Sequence, residues 1–80
     1  NRAVAVAMDQ GPAVGLILVE ELLAQGRLAK YHLAHAVRGD LSRRLGRRRE
    51  AREAYRRALT LARSTPERRF LEQRIAALEN

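Results

Sequence analysis

The sequence predicts an all-α fold built from antiparallel helical hairpins and one closing helix. Hydrophobic residues make up 46% of the 80 residues, but 14 of them are Ala, only seven are Val or Ile, and there is no Trp. This mixture favours helices over strands. Apolar residues also recur at helical spacing, and Gly or Pro separates the segments. A chain of this length forms one domain, since a single core usually takes about 100 to 150 residues.

The first predicted hairpin covers residues 1–25 and is truncated at its start. The run Asn1–Met8 is rich in Ala and Val and begins without an N-cap, as if cut inside a longer helix. Gly11 ends this element, and Pro12 suits the first turn of the next. The segment that follows, to Gln25, is so apolar that we expect it to be covered on two sides.

The second predicted hairpin covers residues 29–62. Its first helix runs from Ala29 to Leu45, and Gly46 ends it. One face of this helix carries four apolar residues: Leu33, Val37, Leu41 and Leu45. The second helix shows the clearest periodicity, a narrow stripe of mostly small side chains that lets helices approach closely: Ala51, Ala54, Tyr55, Ala58, Leu59 and Ala62. Tyr55 is therefore expected in the core.

The closing helix is predicted over residues 65–79. Ser64 and Glu67 form a capping box at its start, or Thr65 is the cap before Pro66. We expect the helix to bury four large apolar residues: Phe70, Leu71, Ile75 and Leu78.

The two hairpins resemble tetratricopeptide repeats. In that repeat the second helix carries a small residue, an aromatic residue four positions later and a small residue three after that. Ala51, Tyr55 and Ala58 match this signature, whereas the first hairpin is degenerate, with Leu22 where a small residue is expected. The resemblance implies two repeats followed by a C-terminal capping helix.

A more specific resemblance covers nearly the whole chain. Five runs occur in order with their turns in register: NRAVAVAM at residues 1–8, GPAVGL at 11–16, YHLAHAVRGDLSRRLGR at 31–47, EAREAYRRAL at 50–59 and ERRFLEQR at 67–74. Together they resemble the C-terminal extension of a group of bacterial extracytoplasmic-function (ECF) RNA polymerase sigma factors. In that group a tetratricopeptide-like region follows two promoter-reading regions. The resemblance implies a regulatory or protein-interaction domain in transcription initiation.

The same resemblance implies the partners. They would be other regions of the sigma factor or RNA polymerase, and DNA would be contacted through the N-terminal promoter-reading regions, which these 80 residues do not contain. Two positions depart from the family pattern. Gly39 stands where the family usually has Ala, and Ser42 where it usually has Leu, so we expect the helix that carries them to be looser.

Positive charge is concentrated in the second hairpin. The chain has 15 Arg, one Lys and nine acidic residues, for a net charge of +7. Arg48, Arg52 and Arg56 lie four residues apart and form an unneutralised row on one helix face. Together with Arg44 and Arg47, they are the candidate partner-binding residues. A solvated surface, an acidic protein surface and DNA remain the alternatives, but no interleaved aromatic residue favours sequence-specific DNA reading.

Two other functions stay open at this point. The chain could be a free-standing tetratricopeptide-type adaptor that binds an acidic peptide or protein, or a non-specific nucleic-acid binder. Homodimerisation through the truncated first helix is a further alternative, because that helix leaves apolar surface uncovered.

No enzymatic activity, metal or cofactor is expected. His32 and His35 have a spacing that could share a metal with Asp40, but this ligand set is incomplete, so we expect packing or hydrogen bonding instead. The sequence has no Ser-His-Asp arrangement and no phosphate-binding Gly loop. The longest apolar run, Val14–Val19, is far shorter than the roughly 20 residues of a membrane span. With no cysteine, the chain fits a reducing compartment, and we expect a cytoplasmic protein.

Overall fold

The computed structural model describes residues 5–6, 9–26 and 28–79. Within them the fold is all-α, as predicted, and its helices are α1 (Pro12–Ala24), α2 (His32–Arg44), α3 (Arg48–Leu61) and α4 (Thr65–Glu79). Residues 5–6 and 9–10 are also helical. The remainder of the run Asn1–Met8 lies outside the described residues.

Most helix ends lie at the predicted signals. Gly46 adopts a positive φ of 75° after α2, a conformation that suits glycine because it lacks a Cβ atom. Pro12 is the first residue of α1. The start of α2 differs from the prediction. This helix begins at His32 rather than at Ala29, because residues 28–31 form a turn in which the Tyr31 amide donates a 3.0 Å hydrogen bond to the Leu28 carbonyl.

The helices pack in chain order: α1 on α2, α2 on α3, and α3 on α4. Helices α3 and α4 are antiparallel. Arg48 at the start of α3 reaches the carbonyl of Leu78 near the end of α4, at 2.8 Å. Arg68 near the start of α4 reaches the carbonyl of Leu59 near the end of α3, at 3.1 Å. The beginnings of α2 and α4 lie together, where His32 contacts Glu67.

The core is centred on the small-residue stripe of α3. Ala51, Ala54, Tyr55 and Ala58 have no exposed surface. Three of them form one cluster with residues that follow in the chain: Ala51, Tyr55 and Ala58 with Ala62, Leu71 and Leu78. A second cluster, Leu16, Val19 and Leu41, joins α1 to α2. The predicted close approach at the Ala-rich helix is therefore present, with Tyr55 in the core as expected.

Two residues of the predicted apolar faces are exposed, and one of them, Phe70, is predicted to be buried. Leu33 on α2 keeps 43% of its surface exposed, and Phe70 on α4 keeps 44%. Each directly precedes a buried residue, Ala34 or Leu71, and consecutive residues on a helix point about 100° apart. Leu41 of α2 and Leu71 and Leu78 of α4, which belong to the same predicted faces, are buried, so each predicted face is correct apart from one member.

Helix α1 is covered less than predicted by the part of the chain that the structure describes. Its Leu16 and Val19 are buried, but Val14 and Ile17 are 41% and 57% exposed. The sequence predicts that α1 is covered on two sides. Helix α2, on which α1 packs, covers only one of them. Among the described helices, none is both long and apolar enough to cross a membrane.

Candidate interaction surface

The predicted arginine row is bonded within the chain. Arg48 Nη2 and Arg52 Nη1 donate hydrogen bonds of 2.8 and 3.1 Å to the carbonyl oxygen of Leu78. Arg56 Nη2 lies 2.8 Å from Glu79 Oε1 in an ion pair. The last carbonyls of a helix lack intrahelical partners and carry the negative end of its dipole, so they attract these cations. The prediction of an unneutralised row is therefore wrong at Arg56, which has a carboxylate partner, and all three arginines contact the C-terminal end of α4.

The other two candidate arginines lie at the turn between α2 and α3. Arg44 is the last residue of α2, and Arg47 directly precedes α3. Both are exposed, and neither side chain has a hydrogen bond or ion pair among the described residues. Of the five predicted partner-binding residues, these two remain available to an external anion.

A groove that the sequence did not predict runs between α2 and α4. Its volume is about 300 Å³, and its lining is mostly apolar: His32, Leu33, Ala36, Pro66, Glu67, Phe70 and Leu71. The groove forms because both helices pack on α3 and leave their outer faces side by side. The apolar periodicity includes Leu33 and Phe70, but it does not indicate that a groove forms between their helices.

Two of the residues that line the groove, His32 and Glu67, contact each other. His32 Nε2 contacts Glu67 Oε2. The Ser64 hydroxyl donates a 2.5 Å hydrogen bond to the other carboxylate oxygen, Glu67 Oε1. The pKa of Glu67 is lowered, mainly by this hydrogen bond and to a smaller extent by His32. The carboxylate is therefore stabilised in its ionised form and has its partners within the chain.

Arg74 lies next to the groove, on the same face of α4 as Phe70. Its guanidinium carbon is 5.1 Å from the centroid of the Phe70 ring, a cation–π contact. A second depression of about 250 Å³, which shares Phe70 with the groove, is lined by Phe70, Gln73, Arg74 and Ala77. Arg74 has no carboxylate partner among the described residues, and its Nε atom is buried without a hydrogen bond. This part of the surface therefore carries uncompensated positive charge.

The three residues considered as metal ligands, His32, His35 and Asp40, each contact a different partner within the chain. His35 Nε2 donates a 2.8 Å hydrogen bond to the Ala29 carbonyl, as the hydrogen-bonding interpretation predicted. Asp40 accepts a hydrogen bond from the Tyr55 hydroxyl, and His32 contacts Glu67. In the described part of the chain, no three His, Asp or Glu residues are grouped in a way that could hold a metal ion.

Asp40, Tyr55 and Arg43 form a polar network inside the α2–α3 contact. Arg43 Nε donates a 3.4 Å hydrogen bond to the Tyr55 hydroxyl, and its Nη2 lies 4.0 Å from Asp40 Oδ1. Burial raises the pKa of Tyr55 to about 12, with the hydrogen bond to Asp40 as the next cause. The hydroxyl thus stays protonated and links the two helices.

Comparison with known proteins finds similarity to a longer bacterial protein. An uncharacterized protein from Rhizobium meliloti (strain 1021) is 41% identical over 75 residues, which cover 94% of this chain and 17% of the relative. The chain thus spans less than a fifth of the length of the relative that it matches. No family model matches the chain. No solved structure matches it either.

Proposed function

We propose that this chain is the C-terminal regulatory and protein-interaction domain of an ECF-type RNA polymerase sigma factor, acting in transcription initiation in the bacterial cytoplasm. The proposal comes from the five sequence runs that resemble such an extension. The all-α fold supports it, as does helix packing in chain order, which suits a tetratricopeptide-like stack. Similarity to a small part of a longer bacterial protein fits a domain within a larger chain.

The observation that carries the interaction role is the groove between α2 and α4. Leu33 and Phe70 are large apolar residues that remain more than two fifths exposed and face one groove. Apolar residues grouped next to polar ones are typical of surfaces that bind another macromolecule. The partner in this proposal is another region of the sigma factor or RNA polymerase, and the promoter is read by the N-terminal regions.

Sequencing the gene upstream of the Asn1 codon tests the sigma-factor assignment. The proposal expects an open reading frame that continues upstream and encodes two helical promoter-reading regions. Their absence would contradict the assignment. If they are present, transcription by the full protein with core RNA polymerase should change when residues 1–80 are deleted, and unchanged promoter output would exclude a regulatory role.

A free-standing adaptor for an acidic peptide or protein is the second candidate, and the same groove supports it. The upstream sequence separates the two, because an adaptor needs no promoter-reading regions. Non-specific nucleic-acid binding has less support, because α4 already engages Arg48, Arg52 and Arg56. Titration with duplex DNA at two salt concentrations tests it, since phosphate contacts predict a steep loss of affinity with salt.

A further inference from the structure

We propose that the α2–α4 groove binds an acidic amphipathic helix of a partner protein, which inserts an apolar side chain between Leu33 and Phe70 and places a carboxylate on Arg74. This inference rests on the proposed interaction function. It adds the position of the binding site and the chemistry of the partner.

The apolar half of the site supplies the binding energy. Leu33 and Phe70 are 43% and 44% exposed, and together with the small Ala36 they line a groove of about 300 Å³, which has room for an incoming side chain. Fully burying a side chain of this kind is worth about 1.5 to 3 kcal/mol, so covering both exposed portions is a substantial gain. Aromatic residues are also enriched among those that dominate interface energies.

Charge decides which partner fits. Arg74 stacks on Phe70 and has no acidic partner among the described residues, so its guanidinium can bind a carboxylate placed one helical turn from the apolar anchor. Glu67 is the only carboxylate among the described residues that line the groove, and it is occupied by His32 and Ser64. A second copy of the chain would bring two net charges of +7 together, whereas an acidic helix is attracted.

The site is held in place before a partner arrives. Arg48 and Arg52 fix the end of α4 on α3, and the contact between His32 and Glu67 fixes its beginning on α2. A groove whose walls are already positioned loses less conformational entropy on binding. Arg74 is the arginine among the described residues that line the groove and the depression next to it, so it sets where the carboxylate of the partner lies.

The experiment measures fluorescence anisotropy of a labelled synthetic helix mixed with the 80-residue chain. The probe is a peptide of about 20 residues with Leu on one face and Glu elsewhere, because isolated helices of about 12 to 15 residues or fewer are marginal in water. Matched peptides replace Glu by Lys or Leu by Ser. We expect binding of the Glu–Leu peptide and a loss of about tenfold or more in affinity for Phe70→Ala and for Leu33→Ala. Arg74→Gln should weaken binding by about fivefold at low salt and less at high salt.

Arg69→Gln is the matched control, since Arg69 is an exposed arginine of α4 outside the groove lining. It should bind like the unmodified chain, and circular dichroism should show the same helicity for all variants. Equal binding of the Lys peptide, or unchanged affinity in Phe70→Ala and Arg74→Gln, would overturn the proposal. So would a dimer in sedimentation that Phe70→Ala dissociates while no peptide binds. Because the peptide assay and the upstream sequence are independent, failure of the groove proposal and failure of the sigma-factor assignment can be told apart.

Discussion

The backbone of Gly39 on α2 lies directly against the ring of Tyr55 on α3. A Cβ atom added at Gly39 would be only 2.7 Å from Cδ1 and Cε1 of Tyr55, well below the roughly 3.5 to 4.0 Å at which carbon atoms attract. Gly39 and Ser42 are both buried, and Tyr55 has no exposed surface. The expectation that these two departures loosen the helix is therefore wrong at Gly39, where the missing side chain admits the tyrosine ring.

Gly39→Ala should destabilise the fold. Alanine gains about 1 kcal/mol in helix propensity, but overpacking a filled core costs about 1 to 3 kcal/mol, and the stiff, buried ring has little freedom to move. We expect a net loss of up to about 2 kcal/mol in the free energy of unfolding, measured by urea denaturation. In a Tyr55→Leu background the same change should be neutral or stabilising. A more stable Gly39→Ala single variant would contradict the close contact.

Local signals explain why the helices could be predicted from the sequence. The glycine at the end of α2, the proline at the start of α1 and the small-residue stripe of α3 act through nearby residues. The start of α2 was missed, because nothing in the apolar spacing around Leu33 distinguishes helix from the preceding turn.

The groove and the roles of the arginines depend on tertiary packing. Leu33 and Phe70 fit the apolar periodicity of their helices. Which side of each helix is buried, however, depends on where α3 packs against it. The row formed by Arg48, Arg52 and Arg56 was correctly placed on one helix face. The hydrogen bonds of this row to the end of α4 could not be predicted. Arg48 and Leu78 are 30 positions apart in the sequence, and helical spacing gives no information about contacts at that separation.

Tyr55 should make the fold less stable at high pH. The pKa of Tyr55 is raised to about 12, whereas an unfolded tyrosine has a pKa of about 10. The native state binds this proton more tightly than the unfolded state does. The proton's contribution to the free energy of unfolding is therefore complete below about pH 10 and is lost as the pH rises to about 12. Urea denaturation should therefore show a steeper loss of stability over this interval for the unmodified chain than for Tyr55→Phe.

Two further measurements check the assignment to Tyr55. The chain has two tyrosines, so tyrosinate absorbance in a Tyr31→Phe background reports Tyr55 alone. At neutral pH, Tyr55→Phe should cost about 1 to 2 kcal/mol, because Asp40 loses a hydrogen-bond donor. Equal pH dependence in Tyr55→Phe and the unmodified chain would show that the hydroxyl is not protected as described.

Arg52 should stabilise the fold through the end of α4. Arg52→Met removes the 3.1 Å hydrogen bond to the Leu78 carbonyl and a cation at the negative end of the helix dipole, so we expect a loss of about 0.5 to 1.5 kcal/mol in unfolding free energy. Arg57→Met is the control, because Arg57 is exposed on the same helix and its side chain has no hydrogen bond or ion pair among the described residues. If the two variants unfold at the same urea concentration, Arg52 is a solvated surface residue.

Ser64 should act as the N-cap of α4. Its Oγ accepts a 3.3 Å hydrogen bond from the Glu67 amide and donates one to the Glu67 carboxylate, which selects the capping box over a Thr65 cap. Ser64→Ala removes both bonds and should cost about 1 kcal/mol in unfolding free energy at neutral pH. Ser64→Asp provides the control, since it keeps an acceptor for the Glu67 amide but places a second carboxylate beside Glu67.

The cost of Ser64→Ala should depend on pH. Because the Ser64 hydroxyl lowers the pKa of Glu67, its bond to the carboxylate contributes above the ordinary pKa of a glutamate and is lost as the pH falls through the lowered value. The bond from the Glu67 amide persists in acid, so the cost should shrink without vanishing. Glu67→Gln should remove this pH dependence while leaving the amide bond to Ser64. A Ser64→Ala cost that stays constant from neutral pH into acid would mean that the hydroxyl stabilises α4 through the amide alone.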